Sequence, residues 1–283
     1  MISSPLRYPG GKAKLFPFVS QLISANDLFG SEYCEPYAGG AGLALRLLSE
    51  GYVQRVWLND FDPGIHAFWD CVLNHTEEFC QLIEATSVDI AEWHKQSAVW
   101  KTGISSGVMP LGFATYFLNR TNRSGIIEGA GPIGGYAQSG EWKLDVRLVK
   151  DRQIANIKEI ARHRKAIRLT SLDAIDLLPQ CLSNDNTFTY LDPPYYVKGK
   201  KLYKNFYSHV DHEKIRDLLA RHRNSCWMLS YDDVAQIREI YSKFDAITYQ
   251  LAYSAGRKGQ GSELIFASDV VQLPTMAGFA AAA

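Results

Sequence analysis

The sequence predicts an α/β fold built on a mainly parallel sheet covered by helices. Three observations carry this. Strand-like and helix-like patterns alternate at both ends of the 283-residue chain, the rhythm of successive βα units. Several strands end near an acid, at the edge where open parallel sheets present ligand sites. A glycine-rich turn joins one strand to its helix, where backbone can approach a ligand closely.

The elements follow in order. "SEYCEPYAGGAGLALRLLSEG" reads as a strand, a glycine turn, and a helix from Leu43 to Glu50 closed by Gly51. "VQRVWLND" is a second strand, followed by a helical pattern through Ile65 and Val72. "AIRLTSLDAIDLL", "NTFTYLD" and "SCWMLSYDD" give three further strands. "DHEKIRDLLARH" is an amphipathic helix with Asp211 as its expected N-cap. "DAITYQLAYS" and "ELIFAS" are expected to pair antiparallel at one edge. Between 75 and 150 the rhythm breaks. "LGFATYFLNRTNRSGIIEGAGPIGGYAQSGEWKL" predicts turns and a hairpin, within an insertion preceded by helices. The low-complexity end, 276–283, is expected to be a disordered tail.

Composition narrows the function classes. A hydrophobic fraction of 46% supports a sizeable core. No apolar run reaches the ~18 residues of a membrane span, so no membrane partner is expected. "MISSPLRYPGGKAK" lacks the apolar segment of a secretory signal, and a cytoplasmic location is expected. The five cysteines form no C-x-x-C pair and read as free thiols. No metal centre is expected: His209, Asp211 and His212 read as a helix cap with surface histidines. Thirty acids balance thirty bases, but nine Lys/Arg against three acids between Lys143 and Arg168 leave a local surplus. Lys198, Lys200, Lys201 and Lys204 form a second basic cluster. Such clusters suit a phosphate surface on a neutral protein.

Two constellations carry chemistry. In the glycine turn, Glu35-Pro36-Tyr37-Ala38-Gly39-Gly40-Ala41-Gly42 precedes Asp60 at the end of the next strand. An acid there accepts from both ribose hydroxyls of an adenosyl group. The turn lacks G-x-G-x-x-G spacing, which disfavours a nicotinamide dinucleotide, and Ala13 after Gly10-Gly11-Lys12 rules out a complete P-loop. The second constellation is Asp192-Pro193-Pro194-Tyr195, closing a strand where proline ends the ladder. Proline after Asp192 keeps it extended. Its carboxylate and the Pro193 carbonyl then form adjacent acceptors for the two N–H groups of an exocyclic amine. Tyr195 offers a face on which a base can stack, worth about 1–3 kcal/mol.

These motifs, in this order, resemble the DNA adenine-N6 methyltransferases of the Dam-like (D12) family over nearly the whole chain. "RYPGGK" resembles their N-terminal element, "EPYAGGAG" their cofactor loop, "LNDFDP" their second-strand acid and "LDPPYY" their catalytic motif. "FLNRTNRSGI", "FYSHVDHEKI" and "GRKGQGSELIFAS" resemble the target-recognition start and later blocks. The resemblance implies a Rossmann-like S-adenosylmethionine-dependent methyltransferase fold, with 1–74 and 151–275 catalytic and 75–150 an inserted DNA-recognition subdomain. It implies that Tyr8, Lys12, Asp60 and Asp192 contact S-adenosylmethionine, that the Ala38–Gly39 backbone wraps its methionine part, and that Asp173 lies near its adenine. Lys12 would pair with the cofactor carboxylate, and S-adenosylhomocysteine would be the product. Arg120, Asn122, Arg123 and Ser124 are expected to contact DNA, with Lys198 and Lys200 near phosphates. An ungapped match puts Glu128 where GATC-specific members read guanine with arginine, and glutamate suits a cytosine amino group better.

The expected activity is thus site-specific methylation of a flipped adenine in double-stranded DNA by a monomer, with a cognate restriction endonuclease as a partner left open. Alternatives are a cytosine-N4 methyltransferase, whose usual motif has serine for Asp192, and a catalytically silent DNA-binding regulator. A nicotinamide oxidoreductase ranks third.

Overall fold

Five strands run parallel: β1 (Glu32–Glu35), β2 (Arg55–Asn59), β3 (Ile167–Thr170), β4 (Thr187–Leu191) and β5 (Trp227–Asp232). Three more, β6 (Ala246–Ala252), β7 (Gln260–Ala267) and β8 (Phe279–Ala281), pair antiparallel. Together they form one eight-stranded sheet in the order β3-β2-β1-β4-β5-β7-β6-β8. The computed structural model describes residues 2–7, 12–197, 207–252 and 260–282. Tyr8, Lys198 and Lys200, together with Lys201 and Lys204, lie outside the described residues.

Strand periodicity sends alternate side chains to opposite faces. On one face, Tyr33, Leu58, Phe188, Tyr190 and Met228 meet helices α1 (Phe16–Ala25), α2 (Gly42–Ser49) and α3 (Pro63–Asn74). On the other, Cys34, Trp57, Leu191 and Leu229 meet α8 (Ala174–Leu182), α9 (His209–Arg221) and α10 (Ala235–Ile240). The helices start where local chemistry allows. Asp62 accepts from the Gly64 and Ile65 amides, and Pro63 occupies the first turn of α3. The α9 cap is Ser208 in a reciprocal capping box, so Asp211 is the third helical residue and not the N-cap expected from its spacing.

Between α3 and β3 lie α4 (Thr76–Ala85), α5 (Ile90–Thr102), α6 (Val108–Thr121) and α7 (Lys150–Arg162). The "LGFATYFLNR" stretch, expected to be turns, belongs to α6. Its glycine is a packing residue: a Cβ on Gly112 would lie 2.6 Å from the Ala67 carbonyl oxygen of α3. Phe79, Trp93, Phe113 and Phe117 join the same apolar cluster as α1–α3. The tail also departs from expectation. Residues 279–281 add β8 to β6, because Phe279 stacks on Phe18 at 4.1 Å and on Tyr249 at 4.4 Å between ring centroids. β6 and β7 do pair antiparallel, with β8 outside them. Cys34, Cys71, Cys80, Cys181 and Cys226 are free thiols. Among the described residues, no helix is long and apolar enough to cross a membrane.

Candidate active site

Strand order reverses between β1 and β4, and ligand crevices open at such points beyond the carboxyl ends of strands. Four neighbouring strands deliver an acid to this edge: Glu35 from β1, Asp60 after β2, Asp173 after β3 and Asp192 after β4. All four line one cavity of about 710 Å³ together with the 36–42 turn, a size typical of small-molecule sites.

The turn is fastened from several sides. The Ala38 amide donates to the Asn59 carbonyl at 2.8 Å, and the Gly39 amide to Asp60 Oδ2 at 2.8 Å. Gly39 and Ala41 both have φ of 47°, a left-handed conformation that costs alanine free energy. The Trp69 indole holds the Gly39 carbonyl at 2.9 Å from α3. Asn59 is the hidden brace. Its amide donates to the Pro36 and Leu172 carbonyls at 2.9 and 3.0 Å, while its Oδ1 accepts from Thr170 and the Leu172 amide. One buried side chain thus locks the three loops after β1, β2 and β3. Nothing but its polarity at the end of an apolar strand marked it in the sequence.

Burial dominates the electrostatics. Seven carboxyls line the cavity, against Lys12 as the one basic side chain among the described residues. Burial pushes Glu35 up to about 8, with the Asp192 charge adding to it and the Tyr33 hydroxyl at 3.1 Å opposing it. Burial and then the neighbouring Asp62 push Asp60 up to about 7. Asp60 spends one lone pair of each oxygen, on the Gly39 amide and on the Asp62 amide at 2.9 Å, so each oxygen can accept one hydroxyl more. Asp173 caps α8 through the Ile175 amide at 2.9 Å.

Asp192 stands at the centre. Burial pushes its carboxyl up to about 6, against the opposing pull of Lys12. Its Oδ1 accepts from Ser230 at 3.1 Å and faces Lys12 Nζ at 3.3 Å. Lys12, which also lines the cavity, has its Nζ 2.8 Å from each oxygen of Glu263. Opposite charges buried together bind one another in preference to standing apart. Tyr195, expected to offer a face on which a base can stack, is 5% exposed. Its hydroxyl donates to Glu263 Oε1 at 2.6 Å, and it is Pro194 that lines the cavity.

The residues expected to contact DNA divide. Arg123, Ser124 and Glu128 are exposed, and Glu128 lines the cavity mouth with Ile126 and Ile127. Asn122 is not available to DNA: it is fully buried, taking the Trp93 indole at 2.7 Å and donating to the Ile126 and Ile127 carbonyls. Arg120 is half-buried and bonded to the Pro5 and Arg147 carbonyls. Its guanidinium therefore ties the N-terminal segment to the loop before α7. Gly125 cannot carry a side chain, because its Cβ would lie 2.3 Å from the Arg7 carbonyl oxygen. Phe61, 54% exposed at the cavity, and Tyr207 on its wall were not singled out from sequence. His212 turns inward to the Tyr231 hydroxyl at 2.7 Å, and among the described residues no cluster could hold a metal ion.

The acidic lining fits a ligand that carries positive charge and ribose hydroxyls, which are the features of S-adenosylmethionine. No curated protein matches the sequence. The model of the D12 class N6 adenine-specific DNA methyltransferases matches residues 8–254. The chain belongs to that family, whose members methylate DNA adenine at N6 with S-adenosylmethionine.

Proposed function

We propose that this chain, acting as a monomer, methylates N6 of an adenine turned out of double-stranded DNA in a defined sequence context. The observation that carries the reading is Asp192, held by Ser230 and Lys12 at the strand-order reversal within an acidic cavity. Bound S-adenosylmethionine supplies a methyl group on a sulfonium. The chain's residues bind and orient around it. The Ala38–Gly39 backbone would border the methionine part, Asp60 would accept the ribose hydroxyls, and Phe61 and Asp173 would border the adenine.

Both described contacts of Asp192 fall on Oδ1, and we assign one N–H of the target amine to Oδ2. The Pro193 carbonyl takes the other N–H. With both hydrogens fixed, the nitrogen lone pair would be left free to attack, and alignment would supply much of the acceleration. An amine that accepted the methyl group would become cationic. Asp192 stabilises that charge and takes the surplus proton, which its raised proton affinity favours. The amino group is out of reach in a stacked duplex, so the base must leave the helix. Segment 75–150 contributes the DNA-facing surface, with Arg123, Ser124 and Glu128 beside the mouth.

Asp192→Ala is expected to lower methyl transfer to DNA by at least about 1,000-fold, with the fold retained. Transfer of labelled methyl groups measures it, and a fully active variant would sink the reading. Sequencing modified bases in plasmid DNA from expressing cells reports the base and its context together.

A further inference from the structure

The wall behind Asp192 contains a second carboxylate that the reaction above does not use. Glu263 lies on β7, paired across from Asp232 of β5, and is 1% exposed. Its two oxygens each accept from Lys12 Nζ at 2.8 Å, and Oε1 also accepts from the Tyr195 hydroxyl at 2.6 Å. Lys12 Nζ donates in turn to the Tyr195 oxygen at 3.1 Å and lies 3.3 Å from Asp192 Oδ1. One ammonium therefore stands between the buried Glu263 and Asp192, whose side chain is 25% exposed, and with both carboxylates ionised the group carries one net negative charge. A buried charge is retained only where partners compensate it, and that surplus lies beside the atom that becomes cationic during transfer.

We propose that Glu263 is a positioning residue for methyl transfer: through Lys12 and the Tyr195 hydroxyl it fixes the Asp192–Tyr195 segment and divides the Lys12 charge between two carboxylates. The inference rests on the assignment of Asp192 above. The groups that face Asp192 are Lys12 from the N-terminal 3-10 turn, Glu263 from β7, Tyr190 from its own strand, Ser230 from β5 and Glu35 from β1. Removing the Glu263 charge leaves Lys12 to Asp192 alone. Asp192 then holds its proton less tightly and offers less net charge to the amine. Removing the Tyr195 hydroxyl takes one donor from Glu263 while keeping the aromatic ring.

The test compares Glu263→Gln, Tyr195→Phe and Asp192→Ala in steady-state and single-turnover methylation of duplex DNA between pH 5 and 9, with S-adenosylmethionine affinity measured alongside. Glu263→Gln should lower kcat roughly 10-fold or more with cofactor affinity unchanged. Its acid limb should move to lower pH by roughly one unit. Tyr195→Phe should also lower kcat, since a residue serving through its ring alone would be indifferent to losing the hydroxyl. If Glu263→Gln fails to fold, Tyr195→Phe decides. Wild-type rates and pH profiles in both variants, with Asp192→Ala inactive, overturn the inference and leave the Asp192 reading standing. An active Asp192→Ala overturns the reading itself.

Discussion

Replacing Glu35 by glutamine removes a carboxyl that folding buries without an opposing cation in contact. The side chain is 6% exposed and takes the Tyr33 hydroxyl at 3.1 Å. Its ordinary value of 4.5 rises to about 8, chiefly through burial and then through Asp192. An acid whose folded value is raised contributes full stability below its unfolded value and loses it as pH climbs toward the folded value. In that window the folded state holds a proton that the unfolded chain releases, at ~1.4 kcal/mol per pH unit. Between pH 5 and pH 8 the wild type should therefore lose about 4 kcal/mol relative to Glu35→Gln. Glutamine keeps the shape and the acceptor for Tyr33, so little else changes. Urea unfolding at pH 5, 6, 7, 8 and 9 measures the difference for both proteins. The two stabilities should diverge as pH rises, with the variant the more stable at pH 8. Parallel curves would refute the claim that Glu35 is held near neutral charge by its surroundings.

Gly112→Ala should destabilise the fold by roughly 1–3 kcal/mol despite alanine's better helix propensity, because the new methyl meets the Ala67 carbonyl at 2.6 Å; thermal unfolding reads the loss, and an unchanged midpoint would contradict the close approach. Asn122→Ala should cost stability, about 1–3 kcal/mol, by leaving the buried Trp93 indole and loop carbonyls unpaired. Glu128→Ala should leave stability and cofactor binding unchanged but alter the sequence context of methylation, read by modified-base sequencing.

The parallel part of the sheet was legible because each strand alternates and then ends in a marked residue. Asp60, Asp173 and Asp192 fall at strand ends that periodicity marks, and proline marks the last of them as well. The glycine turn was legible for the same local reason. What escaped notice depends on partners distant in sequence. Gly112 resembles a turn glycine until α3 is brought against it. Phe279 looks like a lone aromatic in an alanine tail until Phe18 and Tyr249 receive it. Tyr195 reads as a stacking face alone because Glu263, which draws its hydroxyl inward, comes from 68 positions away. Asn122 sits in a run of polar residues that suggests a DNA surface, yet its amide is consumed by the loop it stabilises. Local pattern marks where a side chain is placed, and its availability depends on what the rest of the chain packs behind it.

The seam between α3 and α6 bears on how such a protein can change its sequence preference. Segment 75–150, proposed above to face DNA, shares its interior with the helices behind the sheet: Phe79, Phe113 and Phe117 belong to the same apolar cluster. Gly112 and Ala67 bring the two backbones together, while Arg120 stitches the segment to the N-terminus through the Pro5 carbonyl. A segment joined this way is not an interchangeable cassette. Grafting 75–150 from a relative would carry over a helix face shaped for a different α3, and the graft would fail by loosening the scaffold before its loops met DNA. Single changes at the exposed side chains of Ser124 and Glu128 leave that packing in place, whereas Arg123 also donates to the Pro132 carbonyl.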